Sequence, residues 1–235
     1  MARRPAQLDG RTGLGHVVEL VRETVPPMHP AGRPFVVGAA AVGLLGRRSV
    51  LLRRTSTAAA LGCAAFFRAP NRVPPTRPGL VVAPADGAVA VVDEAAPPAE
   101  LGHGPTPVPR VSVFLSLLDV HVQRSPVTGT AVAVVHTPGQ FLSADLPAAS
   151  SVNERTAVHL RTTDNHDVVV VQIAGLLARR IVCDLRAGQH TTLGATYGLI
   201  RFGSRVDTYL PPGSRVLVSP GQRMVGAETV LAELP

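Results

Sequence analysis

Val81-Val82-Ala83-Pro84-Ala85-Asp86-Gly87-Ala88-Val89-Ala90-Val91-Val92 joins two short apolar runs through a turn built on Pro84 and Asp86-Gly87. Each run is too short and too rich in β-branched residues for a stable helix, and Pro with Asp-Gly between them predicts a reversal of direction. The same grammar continues outward. Val111–Leu115, Ala131–Val135, Ala157–Leu160, Val168–Ile173, Ile181–Cys183, Gly198–Phe202 and Ser214–Val218 are further short strand-like runs, most separated by Gly, Pro, Asn or Asp. Helical periodicity is confined to Gly139–Ser150 and Ala174–Arg180. A mainly β domain with minor α is therefore expected over 73–235, entered through the proline-rich link Val73-Pro74-Pro75-Thr76-Arg77-Pro78.

N-terminal to that link the composition changes. Residues 1–33, with Pro5, Pro26, Pro27 and Pro30, read as a basic flexible arm apart from a short helix around Val17–Arg22. Pro34–Gly46 and Thr55–Phe67 are uncharged runs separated by Arg47, Arg48, Arg53 and Arg54. Both fall short of the roughly 20 residues that span a bilayer. Two packed core helices, a cleaved signal sequence and a hairpin dipping into one leaflet are the alternatives. Arginines between two apolar runs are costly in a core but suit anionic head groups, so 34–72 is expected to form a membrane-associated apolar helical hairpin.

The 23 basic residues among the 235 are all arginine, and lysine is absent. That excludes chemistry through a lysine amine: a pyridoxal phosphate site, an aldolase-type imine, a phosphate-loop lysine or a carrier-domain lysine. Residues 1–72 hold 11 arginines against three acids, whereas 73–235 hold 12 against 13. The sequence pI of about 11.0 is thus an N-terminal property. With few aromatic platforms beside that charge, no nucleic acid partner is expected. Cys63 and Cys183 read as buried hydrophobes in a reducing compartment, and their spacing predicts no metal site.

Four segments place chemistry-bearing residues in turns or at strand ends. Asp86 lies in the Pro-Ala-Asp-Gly turn, which is by itself an ordinary turn signal. His121 ends an apolar strand, with Asp119 two residues away to orient the imidazole for proton transfer. Ser151-Val152-Asn153-Glu154-Arg155 precedes a strand. Gly203-Ser204 follows Tyr197–Phe202 and reads either as a bulge or as a strained peptide bond attacked by its own serine.

Phe66-Phe67-Arg68 with Pro70 and Arg72, the Pro-Ala-Asp-Gly turn, Asp119-Val120-His121 with Arg124, Pro126 and Gly129, Asn153-Glu154-Arg155, Gln172-Ile173-Ala174-Gly175 with Ala178–Val182, and Phe202–Asp207 occur in that order. Together they resemble the short bacterial and archaeal phosphatidylserine decarboxylases over about residues 64–235. The resemblance implies a proenzyme that cuts itself between Gly203 and Ser204, turning Ser204 into a covalent pyruvoyl group with no metal. That group would form a Schiff base with phosphatidylserine and lead to phosphatidylethanolamine, supplying the carbonyl chemistry that a lysine-free chain lacks. It also implies catalytic roles for Ser204, His121 and Asp86. Longer relatives carry a second histidine where Arg124 stands, so the second role falls to His121 or to a residue such as His136 or His159.

Arg124, Arg155, Arg179 and Arg180 are candidates for binding the substrate phosphate or carboxylate through their guanidinium forks. A structural ion pair is the competing role for each. The implied setting is the cytoplasmic side of an anionic cell membrane, peripheral or hairpin-anchored, with the two chains remaining associated and a homo-oligomer compatible. By fold-level analogy the strands, with Pro220–Leu231, resemble a barrel-sandwich hybrid domain. Decarboxylation of another amino lipid, or a non-enzymatic membrane-anchored adaptor, are the alternative functions.

Overall fold

The structure is a computed structural model that describes residues 15, 25–146, 148–176, 180–201 and 203–235. Most of the expected arm, including Val17–Arg22, lies outside the described residues, as does Arg179. Three antiparallel sheets dominate. The largest has eight strands in the order β13-β2-β3-β11-β7-β6-β5-β9. These are β2 (Gly87–Ala95), β3 (Val108–Leu115), β5 (Gly129–Thr137), β6 (Arg155–Arg161), β7 (Asp167–Ile173), β9 (His190–Thr191), β11 (Ser204–Tyr209) and β13 (Arg223–Met224). β1 (Leu80–Val82), β14 (Val230–Glu233) and β12 (Arg215–Val216) form a second sheet. β4 (Val122–Arg124), β10 (Thr196–Arg201) and β8 (Arg180–Cys183) form the third.

Residues from all three sheets meet in one core, among them Val81, Val113, Leu115, Leu160, Val170, Ile200, Val206 and Leu231. The β-branched runs form strands because this core buries them. In β7, Val168 to Ile173 are all buried, as expected of an interior strand covered on both faces. The mainly β expectation therefore holds. The helical reading of Gly139–Ser150 does not: the chain there bridges Gln140 to Asn153, and among the described residues of this stretch only α3 (Ala149–Val152) is helical. Around Ala174–Arg180, the described residues 174–176 are non-helical and Arg180 begins β8. Cys63 and Cys183 are free and half-buried.

From residue 25 onward two α-helices precede the sheets, α1 (Arg33–Leu45, 13 residues) and α2 (Val50–Phe66, 17 residues). They pack against each other, and the foot of α2 docks on the β domain. Phe66 and Phe67 join Val120, Val122 and Leu199 in a separate hydrophobic cluster. The preceding chain is tied to this foot, His29 N–H donating to the Phe67 carbonyl at 2.8 Å and Ala69 N–H to that of Pro27 at 2.6 Å.

The expected apolar membrane hairpin is overturned: among the described residues no helix is long and apolar enough to cross a membrane. At about 1.5 Å rise per residue α1 extends only about 20 Å. α2 is longer, but its first half carries Arg53, Arg54, Thr55, Ser56 and Thr57. These polar residues interrupt the hydrophobic length that a span requires.

Candidate active site

His121 lies immediately before β4 and is fully buried. Its Nδ1 is 3.0 Å from the Asp119 carbonyl oxygen, and its Nε2 accepts a hydrogen bond from Gly203 N–H at 3.1 Å. The carbonyl partner assigns the proton to Nδ1, leaving the Nε2 lone pair on the Gly203 amide. Burial pushes the imidazole pKa down to about 4, against smaller upward effects of the Asp119 carbonyl and charge. The ring is therefore neutral near pH 7. It also packs on Phe66, with ring centroids 4.3 Å apart.

The sequence suggested the Asp119 carboxylate as the group that orients His121. The structure uses the backbone carbonyl instead. The carboxylate accepts from Ser116 N–H at 2.8 Å and Ser116 Oγ at 2.7 Å, and pairs with Arg223. Below the imidazole, Gln123 Nε2 donates to the His121 carbonyl at 2.8 Å, and Gln172 Nε2 to Gln123 Oε1 at 2.9 Å. Both glutamines are fully buried, so this amide relay fixes the backbone that carries the imidazole. Polar residues inside otherwise apolar runs were the sequence signal for them.

Gly203 joins β10 to β11 with a positive φ of 57°, a left-handed conformation that glycine adopts without steric penalty. Its carbonyl oxygen lies against Gly175, in the space a Cβ on that residue would need. Ser204 opens β11, in register with Leu115 of β3. Its hydroxyl is buried and has no hydrogen-bond partner among the described residues. A buried, unpartnered hydroxyl beside a constrained carbonyl is free to turn toward that carbon, whereas a hydrogen-bonded one would be held away from it.

Two residues past Arg205, Asp207 anchors the strand. Its carboxylate accepts from Arg205 Nε at 2.6 Å and Ser150 Oγ at 2.9 Å, with Arg110 Nη1 at 3.7 Å. Arg205 and Asp207 are both inaccessible to solvent.

The family described as phosphatidylserine decarboxylase matches residues 60–232. The chain belongs to the phosphatidylserine decarboxylase family. Relatives named phosphatidylserine decarboxylase proenzyme are similar along the whole of both chains, at 61% identity in Rhodococcus jostii (strain RHA1), 62% in Nocardia farcinica (strain IFM 10152) and 60% in Mycobacteroides abscessus.

The other residues expected from the sequence are distributed unevenly. Asp86 accepts from Arg72 Nη2 at 2.6 Å and from Gly226 N–H at 2.8 Å. Burial raises its pKa, partly offset by Gly226 and Arg72. No described hydrogen bond links it to His121 or Ser204, although Asp119 and Arg68 influence both Asp86 and His121 electrostatically. Arg124 donates to the carbonyls of Pro70 at 2.6 Å and Gly194 at 3.3 Å. It ties β4 to two loops, and no described hydrogen bond joins it to Gly203 or Ser204.

Arg155 forks onto Glu100 at 2.7 and 3.2 Å. His136 meets Thr156 Oγ1 at 3.0 Å, and His159 meets Asp167 at 2.8 Å. Among the described histidines only His121 bonds to the Gly203-Ser204 segment. His103, His159 and Asp167 form a group whose ligand atoms lie within 4.8 Å of one another. Arg161 already contacts both Asp167 oxygens, at 2.8 and 3.2 Å, which marks the group as a charge network.

Proposed function

We propose that this protein is a self-processing phosphatidylserine decarboxylase that cuts its own chain between Gly203 and Ser204. The observation that carries this reading is the 3.1 Å hydrogen bond from Gly203 N–H to His121 Nε2, beside the unpartnered Ser204 hydroxyl. Ser204 Oγ attacks the Gly203 carbonyl carbon and gives up its proton. The bond to the Ser204 nitrogen breaks, that nitrogen takes a proton, and an ester replaces the amide. Loss of the Ser204 α-proton then expels the Gly203 carboxylate, and water converts the new terminus to a pyruvoyl group with release of ammonia.

His121 is the proton carrier closest to this bond, and its neutral form at pH 7 suits it to accept a proton. Asp86, whose carboxyl is shifted toward the protonated form, assists through the charged groups around His121. The buried Ser204 position and the Gly203 carbonyl pressed on Gly175 fit a carbonyl group held away from water. When present, that pyruvoyl group supplies an electrophilic carbonyl for the substrate amine and an electron sink for loss of carbon dioxide. His121 then returns a proton to the substrate carbon that lost its carboxylate.

We assign the enzyme to the cytoplasmic surface of the cell membrane as a peripheral protein. Leu118, 84% exposed, and Leu117, 52% exposed, lie three and four residues before His121. Arg68 Nη2 donates to the Leu118 carbonyl at 2.6 Å. An apolar lip with a cation beside it suits contact with anionic lipid. The two chains are expected to stay together because β11 is hydrogen-bonded between β3 and β7.

Intact-mass spectrometry of the purified protein tests the reading. Two co-eluting chains divided after Gly203, the smaller blocked at its N-terminus, with release of carbon dioxide from phosphatidylserine, are the expected result. Ser204→Ala should leave one chain and no activity. A wild-type preparation that remains a single inactive chain would refute the proposal.

A further inference from the structure

Arg201 ends β10 directly opposite Arg180 of β8. Two like charges in register on neighbouring strands repel each other and need a counter-charge. Neither arginine has an acidic partner among the described residues, and the buried Nε of Arg201 donates to nothing there. A guanidinium N–H left unpaired in this way is costly unless a ligand completes it. The group is nevertheless held in place. Its carbon sits 5.0 Å from the centroid of the Phe35 ring, a cation-π contact.

The aromatic support leads to the reaction centre. Phe35 stacks on Phe67 at 5.4 Å, Phe67 meets Phe66 edge-on at 5.1 Å, and Phe66 packs on His121 at 4.3 Å. Along the chain Arg201 is three residues from Ser204, so their Cα atoms are at most about 11 Å apart. In a serine phospholipid the phosphorus is three bonds from the carbon that bears the amine and carboxylate. A headgroup held at Ser204 by its amine therefore brings its phosphodiester within the reach of an arginine side chain.

We propose that Arg201, together with Arg180, forms the binding site for the phosphodiester of the phosphatidylserine headgroup. The phosphate is the better partner on chemical grounds. An arginine on the carboxylate would stabilise the charge that decarboxylation must remove, whereas one on the phosphate binds ground state and transition state alike. Phe35 thereby gains a role of its own, that of positioning residue for Arg201.

This inference rests on the proposed decarboxylase activity, and the two fail differently. The probe is the mature wild-type enzyme in detergent micelles containing phosphatidylserine. Arg201→Gln should be cleaved into two chains as completely as wild type, raise KM about tenfold or more, and keep kcat within about threefold, the signature of lost uniform binding. Arg201→Lys should recover much of the loss, and Arg215→Gln, on the separate β12 sheet, should match wild type. Glycerophosphoserine should inhibit wild type competitively and Arg201→Gln only weakly.

An unchanged KM in Arg201→Gln, a fall in kcat alone, or a failure of that variant to process would overturn the assignment. Equal potency of inorganic phosphate and glycerophosphoserine would replace the lipid headgroup by free phosphate and also overturn it. A wild-type chain that neither cleaves nor decarboxylates would instead remove the activity itself.

Discussion

The carbonyl oxygen of Gly203 occupies the space that a methyl group on residue 175 would fill. Gly175→Ala must push that carbonyl away from its present position, where Ser204 Oγ can approach the carbon. Because a misplacement of about 1 Å can cost two orders of magnitude in rate, the variant should fold but process at least about tenfold more slowly. Timed gel analysis of freshly translated chains measures this, and wild-type processing would show that the contact is irrelevant. His121, Gly203 and Ser204 were visible in the sequence because they sit at punctuation between apolar runs. Gly175 was visible only as part of the motif Gln172–Gly175, since nothing in a lone glycine tells which distant carbonyl it accommodates. Arg201 was hidden inside a run that reads as strand.

At the level of elements, β11 is the decisive one and the least legible. Ser204-Arg205-Val206-Asp207-Thr208-Tyr209 is polar at four of six positions, yet all six residues are buried. A hydrophobicity pattern cannot announce such a strand, because its burial is made tolerable by partners distant in sequence: Ser112 on β3, Arg110 and Ser150. β6 and β7 were legible for the opposite reason, since their β-branched residues fill the core directly. Truncating one member of the buried Arg205–Asp207 pair leaves an uncompensated charge, which costs about 3–5 kcal/mol. Asp207→Asn in a Ser204→Ala background should lower the urea unfolding free energy by about that amount. A change below about 1 kcal/mol would mean that the pair does not hold the strand.

Across the whole molecule, three sheets share one core, while among the described residues the helical pair meets the β domain in the separate cluster at the foot of α2 and where Phe35 lies against Arg201. The sequence showed two uncharged runs and arginines between them, but it could not show that Phe66 and Phe67 are committed to the β domain. Global stability should also record the buried imidazole. The folded pKa of His121, about 4, lies below the roughly 6.5 of an unfolded histidine. Between these values the unfolded chain binds the extra proton, so this contribution is full above about pH 6.5 and is lost as pH falls toward 4. The pKa gap corresponds to about 3 kcal/mol. Urea titrations of Ser204→Ala should show that loss, and adding His121→Gln should flatten it; an identical pH slope in both would contradict a buried neutral ring.

The position of Ser204 at the head of an interior strand also bears on the lifetime of the enzyme. Before cleavage, β11 is covalently continuous with the strands it joins and the chain folds in a unimolecular reaction. After the proposed cleavage, a denatured segment from 204 onward would have to find its slot between β3 and β7 as a separate molecule, with the proposed reactive terminus exposed while it searches. Renaturation then depends on concentration and competes with chemical loss of that terminus. A mature form produced in that way would be protected by the slowness of its unfolding rather than by its equilibrium stability, and each chain would have one productive passage through the folded state.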